Sequence, residues 1–407
     1  MTDERLVHNQ IFDGFRALAI LLVVFFHVNF GLIKLLPADA LQQHIDQTPA
    51  LFNISWHALG SEVIFFISGY LLTMILLLER GKHGRIDVRA FYIKRVARIL
   101  PLYYVALLLY SLNGDYSAYE WLLNLLFISK FAGEATIIPV GWSLELQMQF
   151  FLLVPLLVIA LQRSGRPMPV LLVSLVVLIL LRYQLLAGDA DFLQQKFADV
   201  VMGASPSQAQ KESYYLIHYR ASALVIGMIL AYLYVDHREA LANRFRERGS
   251  MLMFSLLGCL LVVLFGFLPT HDAGSFFYTE LSDTIYIWYM TLERSLFIVG
   301  VCLLMLKLLF SPGMFAFLIP ALGNRAFRVV SNSIYPIYLF HFPFVLLAFV
   351  LVYWTTDREM VTSADTWQLL ALMLVSAVTA TAFSWVVHRY IELPLQTRIR
   401  NRLLADK

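Results

Sequence analysis

Arg16 and His27 bracket ten residues, ALAILLVVFF, with no ionisable side chain among them. On an α-helix that step covers about 16 Å, so an arginine at a membrane edge leaves the histidine deep in the apolar layer. A histidine there is costly unless it faces a wet cavity or a polar partner. Its imidazole titrates near neutrality, which suits a general base taking a proton from a hydroxyl. A neutral histidine hydrogen-bonded to backbone or to a tyrosine is the alternative. The segment GSEVIFFISGYLL puts Glu62 at a similar depth on an antiparallel neighbour. That carboxylate either orients the imidazole of His27 and balances its charge, or faces external water.

Three further stretches carry polar groups in apolar surroundings. In FYIKRVARILP, Lys94, Arg95 and Arg98 lie on adjoining helix faces. With Arg16 they suit a multiply charged phosphate, guanidinium above all, and they equally serve as a topology signal. GWSLELQMQFF carries Trp142, Ser143, Glu145, Gln147 and Gln149; Glu145 and Gln149 share a face from which Gln147 points away. A cavity lining explains two polar faces better than lipid contact does. In SNSIYPIYLFHFP, Asn332, Tyr335, Tyr338 and His341 recur every three residues around Pro336. His341 is a second base or a positioning donor and Tyr338 a donor to an oxyanion, unless the stripe is a structural network around a proline kink. Ser68 and Gly69 either allow a close helix crossing or line a passage.

The elements that must position these groups are membrane helices. Of the 407 residues 59% are hydrophobic and 14% charged, and the apolar ones fall in runs too long for barrel strands. The fold class is therefore all-α, a polytopic membrane protein with about ten spans. They are expected near 11–33, 58–79, 99–112, 143–161, 169–187, 215–236, 250–268, 283–310, 329–354 and 367–389. Trp121–Phe131 is too short to cross a core of about 30 Å and reads as a partial or interfacial helix. That choice puts every strongly basic joint, GKHGRIDVRAFYIKR and DHREALANRFRERG among them, on one side, with both termini in the cytoplasm. Residues 1–395 form one integral domain and 396–407 a basic cytoplasmic tail. The first apolar run is kept as a span, not a cleaved signal. Cys259 and Cys302 sit in apolar runs and read as small buried hydrophobes, with no disulfide or metal site implied. Walker and Rossmann glycine loops, a haem-spaced histidine pair and a metal cluster are absent, which disfavours nucleotide hydrolysis, dinucleotide redox and metal catalysis.

In their order along the chain, these residues resemble the membrane acyltransferase-3 family. Arg16 and His27 match its arginine and histidine separated by ten residues, FFISGYL its second-helix pattern, and Glu62 its acidic residue there. Arg95, Arg98 and Pro101 match its basic segment, Tyr338, Leu339, His341 and Pro343 its late motif, and Ile391 to Pro394, IELP, its closing motif. The family often has WSLxxExxF; here Gln147 stands at that glutamate, with Glu145 on another face.

The resemblance implies ten core helices and transfer of an acyl group, commonly acetyl from cytoplasmic acetyl-CoA, to a carbohydrate or glycolipid hydroxyl outside a bacterial inner membrane. In that frame His27, Glu62 and His341 are catalytic, and Arg16, Arg95 and Arg98 bind the CoA phosphates. Ser68, Trp142, Ser143, Glu145, Gln147 and Tyr338 contact substrate. Membrane lipids, the acceptor and the CoA thioester are the expected partners, without nucleic acid, metal or redox cofactor, and a homo-oligomer stays open. The competing reading is a proton-coupled transporter or flippase of a glycan or small polar molecule, in which His27 and Glu62 relay protons. A noncatalytic scaffold leaves the buried polar groups without a purpose.

Overall fold

The computed structural model describes residues 3–404 except 50, 53–58, 195–196, 203, 269 and 271–274, and among them no strand occurs. Six of the helices are long and apolar enough to cross a membrane: Gln10–Leu35, Leu59–His83, Gly141–Arg163, Pro167–Gly188, Ile334–Tyr353 and Thr366–Leu404. A seventh is added if Arg238–Arg246 and Met251–Gly266, bent by 92°, form one broken span. The chain is thus helical and multi-span. The expected number of ten goes beyond this count.

The helices used below are, in chain order, α1 (Asp3–Leu35), α2 (Leu59–His83), α3 (Val88–Ser111), α4 (Ala118–Leu126), α5 (Gly141–Arg163), α6 (Pro167–Gly188), α7 (Gln208–Tyr215), α8 (Ile217–Arg220), α9 (Ser222–Asp236), α10 (Asp283–Phe310), α11 (Arg325–Asn332), α12 (Ile334–Tyr353), α13 (Thr366–Val387) and α14 (Leu393–Leu404). Helices α1, α2, α5, α9 and α12 gather the site. Their apolar residues fill two buried clusters, one that includes Phe66, Tyr70, Leu146, Leu224 and Leu339 and another in which Ile20 and Val24 of α1 meet Ile337 and Val345 of α12. By contrast α6 buries only Leu171, Arg182 and Leu186 and exposes Leu172, Val173, Val176 and Leu180. A helix apolar on every side and covered so little is one that faces lipid.

The tightest crossing joins α2 to α9 through two glycines. A Cβ at Gly69 would sit 2.2 Å from the Leu224 carbonyl oxygen, and one at Gly227 2.2 Å from the Phe66 carbonyl oxygen. Small residues let the backbones touch, as membrane helices require where no water drives them together. Of the two readings of Ser68 and Gly69, the crossing falls to the glycine.

Several expected spans are interrupted. The run near 215–236 breaks at Leu216 and again at Ala221 into α7, α8 and α9, leaving α9 only 15 residues long. The run near 329–354 breaks at Ser333. Pro336 does not kink the centre of this span. It occupies the first turn of α12, where a missing N–H costs nothing, and the internal proline is Pro343. Ala118–Leu126 has nine residues, too few to span, and starts on a capping box in which the Ser117 N–H and hydroxyl both donate to the Glu120 carboxylate. Those bonds hold the Glu120 carboxyl below its ordinary pKa. Cys259 is exposed rather than buried. The basic tail continues as α14 to Leu404, and residues 405–407 of the expected tail lie outside the described residues.

The α2–α9 contact has no room for a side chain. Gly227→Val is expected to cost about 3 kcal/mol or more by overpacking. It should show as a lower melting temperature of the detergent-solubilised protein, and an unchanged melt would mean that the crossing can open.

Candidate active site

Among the described residues, many of the chemistry-bearing ones divide between a pair of cavities in the bundle. The first, of about 300 Å³, is lined by Arg16 of α1, Ser68 of α2, Arg95 and Arg98 of α3, Ser143 and Gln147 of α5, and Tyr338 of α12. The second, of about 320 Å³, is lined by His27 of α1, Trp142 of α5, Lys211, Tyr214 and Tyr215 of α7, Glu293 and Arg294 of α10, and Phe342 of α12. One helix therefore serves both chambers: α1 delivers its arginine to the first and its histidine to the second. The intervening ten residues supply the reach.

The wall between them is polar. Tyr338 donates to the Val140 carbonyl and is hydrogen-bonded to Ser143. Since the phenolic hydrogen is taken by the carbonyl, Ser143 is the donor of that pair. Trp142, next in sequence to Ser143, faces the second cavity. His341, three residues after Tyr338 and fully buried, meets His27 on the far side of this wall.

The two imidazoles fix each other's hydrogens. His27 Nδ1 lies 2.8 Å from the Val23 carbonyl oxygen, and His341 Nδ1 lies 3.0 and 2.9 Å from those of Ile337 and Tyr338. A carbonyl only accepts, so Nδ1 carries the hydrogen in both rings. The lone pair on His341 Nε2 then accepts a share of the His27 Nδ1–H at 3.2 Å. Nε2 of His27 is left with a free lone pair in a residue that lines the second cavity. This is the arrangement of a base held by an orienting partner, with histidine as the partner.

That partner was expected to be Glu62, and it is not. Glu62 is 1% exposed, and its Oε1 accepts from Arg220 at 2.7 Å and Arg294 at 3.4 Å. Two guanidiniums outcompete a neutral ring for a buried carboxylate. Glu145 is not a substrate contact either. Its Oε1 accepts from the Ser129 N–H and its Oε2 from the Lys130 N–H, both at 3.0 Å, so it pins the loop that follows α4. Gln149 supports the same loop through the Phe127 carbonyl, where Phe127 holds a left-handed φ of 59°. Gln147, at the position of the family glutamate, does face the first cavity, and its Nε2 has no partner.

In the first cavity Arg16 pairs with Asp13 at 3.5 Å, and Arg95 packs over Phe91 and Phe151. Three guanidiniums against that one carboxylate leave a positive chamber suited to phosphates. Lys94 is exposed and outside this lining. The expected polar stripe on the late span also divides: Asn332 is exposed, and Tyr335 donates to the Ile99 carbonyl at 2.8 Å.

Missing from the expectations are Arg182, Arg220, Glu293 and Arg294, which surround Glu62. All four fall within runs expected as spans, the same signal that singled out His27. Arg220 is the largest of the fully buried side chains and stacks on Trp142 and Tyr214. Removing Glu62 leaves both guanidiniums uncompensated. Glu62→Ala is expected to cost about 3–5 kcal/mol, the penalty of stranding a buried charge. The variant should lose thermal stability and abundance together; a well-folded, inactive Glu62→Ala would restore a catalytic role to this residue.

The family profile described as "Acyltransferase domain" matches residues 9–389. The peptidoglycan O-acetyltransferase OatA of Listeria monocytogenes is 23% identical over 407 residues, 94% of this chain and 55% of its own length. YrhL of Bacillus subtilis, provisionally named a peptidoglycan O-acetyltransferase, is 24% identical over 412 residues, 95% of this chain and 54% of its own. The chain thus spans about half the length of these curated relatives. No solved structure matches it. A profile that covers nearly the whole chain and includes both arms of the Arg16 and His27 pair makes this protein a member of the acyltransferase-3 family.

Proposed function

We propose that the chain is an O-acyltransferase of the bacterial inner membrane that moves an acetyl group from cytoplasmic acetyl-CoA to a hydroxyl of an extracytoplasmic carbohydrate or glycolipid. The observation that carries this reading is the free Nε2 lone pair of His27 in one cavity, tied by about 16 Å of α1 to Arg16 in a guanidinium-lined cavity. The names of the relatives support a glycan acceptor. The basic joints, which fall on one side when the ten expected spans are counted, support a cytoplasmic side for both termini and the arginine cavity.

In the proposed reaction Arg16, Arg95 and Arg98 bind the CoA phosphates, and the pantetheine arm runs past Ser68 and Gln147. The unpartnered Gln147 amide suits a carbonyl of that arm, a donation that a glutamate could not make. The arm reaches His27 only when Tyr338 leaves both Ser143 and the Val140 carbonyl, and it is release from that carbonyl that frees the Tyr338 O–H for the oxyanion. His27 Nε2 takes the hydroxyl proton as the oxygen attacks the thioester carbonyl. The C–S bond breaks as the C–O bond forms, and the imidazolium returns the proton to the sulfur. His341 orients the ring.

His27→Ala is expected to keep its abundance and lose an acetyl-sized, base-labile mass from envelope glycans, read by mass spectrometry against wild-type and deletion strains. Unchanged modification by well-expressed His27→Ala would remove the base assignment, and a molecule moved but not esterified would indicate transport. Arg98→Ala is expected to weaken CoA binding at least tenfold, the equivalent of about 1.4 kcal/mol; equal affinity would take the phosphates out of the first cavity.

A further inference from the structure

The charges around Glu62 do not balance. Arg182, Arg220 and Arg294 lie within electrostatic reach of one another, with Glu62 and Glu293 as the carboxylates of the same group. Three cations face two anions in a region where Arg182, Arg220, Glu62 and Glu293 are each at most 6% exposed. A net buried positive charge is costly in the low-dielectric interior of a bundle.

Arg294 is the guanidinium of this group that lines the second cavity. Its hold on the protein is weak. It reaches Glu62 Oε1 at 3.4 Å, an oxygen that Arg220 already occupies at 2.7 Å. Its other contact is with the Tyr214 ring, 5.2 Å to the centroid, which takes up no hydrogen-bond acceptor. Lys211 adds a second cation on the cavity wall and is exposed. Lys130, over the Tyr215 ring, is offset by Glu145 and Glu134. Trp142, Tyr214, Tyr215 and Phe342 give the chamber aromatic walls, the surfaces on which sugar rings stack.

We propose that the second cavity reads a negatively charged substituent on the acceptor glycan, with Arg294 and Lys211 holding the anion and so placing a nearby hydroxyl at His27 Nε2. The anion is a carboxylate or a phosphate ester, both matched by a guanidinium fork beside an ammonium. It supplies the charge that the buried group lacks. The inference rests on reading this cavity as the acceptor site.

Equilibrium binding tests it without requiring transfer. The full chain in detergent micelles is titrated with three labelled probes: a neutral oligosaccharide, its uronic acid counterpart and its phosphorylated counterpart. At least one anionic probe is expected to bind tenfold or more tighter than the neutral one, and more weakly as salt is raised. The tighter of the two identifies the anion. Arg294→Gln is expected to bring that ratio below about two, and Arg294→Lys to keep most of it. Should Arg294→Gln fail to fold, exposed Lys211→Gln carries the test, with an expected loss of about threefold in the ratio. Equal binding of charged and neutral probes, or a ratio that both neutral substitutions leave unchanged, would overturn the proposal. Loss of glycan esterification with the binding ratio intact would bear on the base assignment alone.

Discussion

An ionisable group inside an apolar bundle must be paired, hydrated or absent, and this constraint arranges the whole molecule. Glu62 meets it by pairing, and the pairing dictates local structure. To bring Arg220 to within 2.7 Å of the carboxylate, the chain between α7 and α9 abandons a continuous helix, turning at Leu216 and Ala221. The α2–α9 glycine contact then seals the same two elements a few turns away. Arg16, Arg95 and Arg98 meet the constraint by lining a cavity. One rule thus yields a charge cluster that is buried around Glu62 and reaches the second cavity through Arg294, and a separate positive chamber lined by Arg16, Arg95 and Arg98.

The histidines follow a third course, in which neutral rings are satisfied by the helix itself. A carbonyl one turn back along the helix is within reach of a buried Nδ1–H: His27 uses that of Val23, and His341 shares those of Ile337 and Tyr338. Because that bond fixes the tautomer, the two Nε2 atoms become lone pairs, one aimed at the partner ring and one left for chemistry. An acidic partner would hold a proton differently. It would stabilise the imidazolium directly, whereas His341 can only orient the ring and share a hydrogen. As the proposed base, His27 would therefore depend on geometry more than on charge.

What was legible in the sequence follows from the same physics. Long apolar runs name helices because the bilayer permits little else, and buried ionisable residues in those runs name sites because they are expensive. Hence the Arg16, Arg95, Arg98 cavity and the place of His27 could be read in advance. Partner choice could not. The pairing of Glu62 with His27 was argued from depth along two helices, and depth leaves rotation and neighbours open; Arg220 sits in a short segment, IHYR, with no period to expose it. Glu145 misled for a similar reason. Its carboxylate serves two backbone N–H groups of a loop whose turn at Phe127 carries no glycine to announce it.

The separation of the two cavities bears on the proposed chemistry. A thioester and a water-facing acceptor site in one open chamber would allow water to compete with the sugar hydroxyl. Here the polar contact between the two sets of lining residues is the Tyr338 hydroxyl, which donates to the Val140 carbonyl and accepts from Ser143. Such a contact opens without stranding a polar atom when an arm bearing carbonyls and N–H groups arrives to exchange partners with it. An aliphatic plug would offer such an arm nothing in return for its own desolvation. In the proposed reaction the same residues would exclude water at rest and admit the donor, and α1, with Arg16 at one end and His27 at the other, would keep both ends in register.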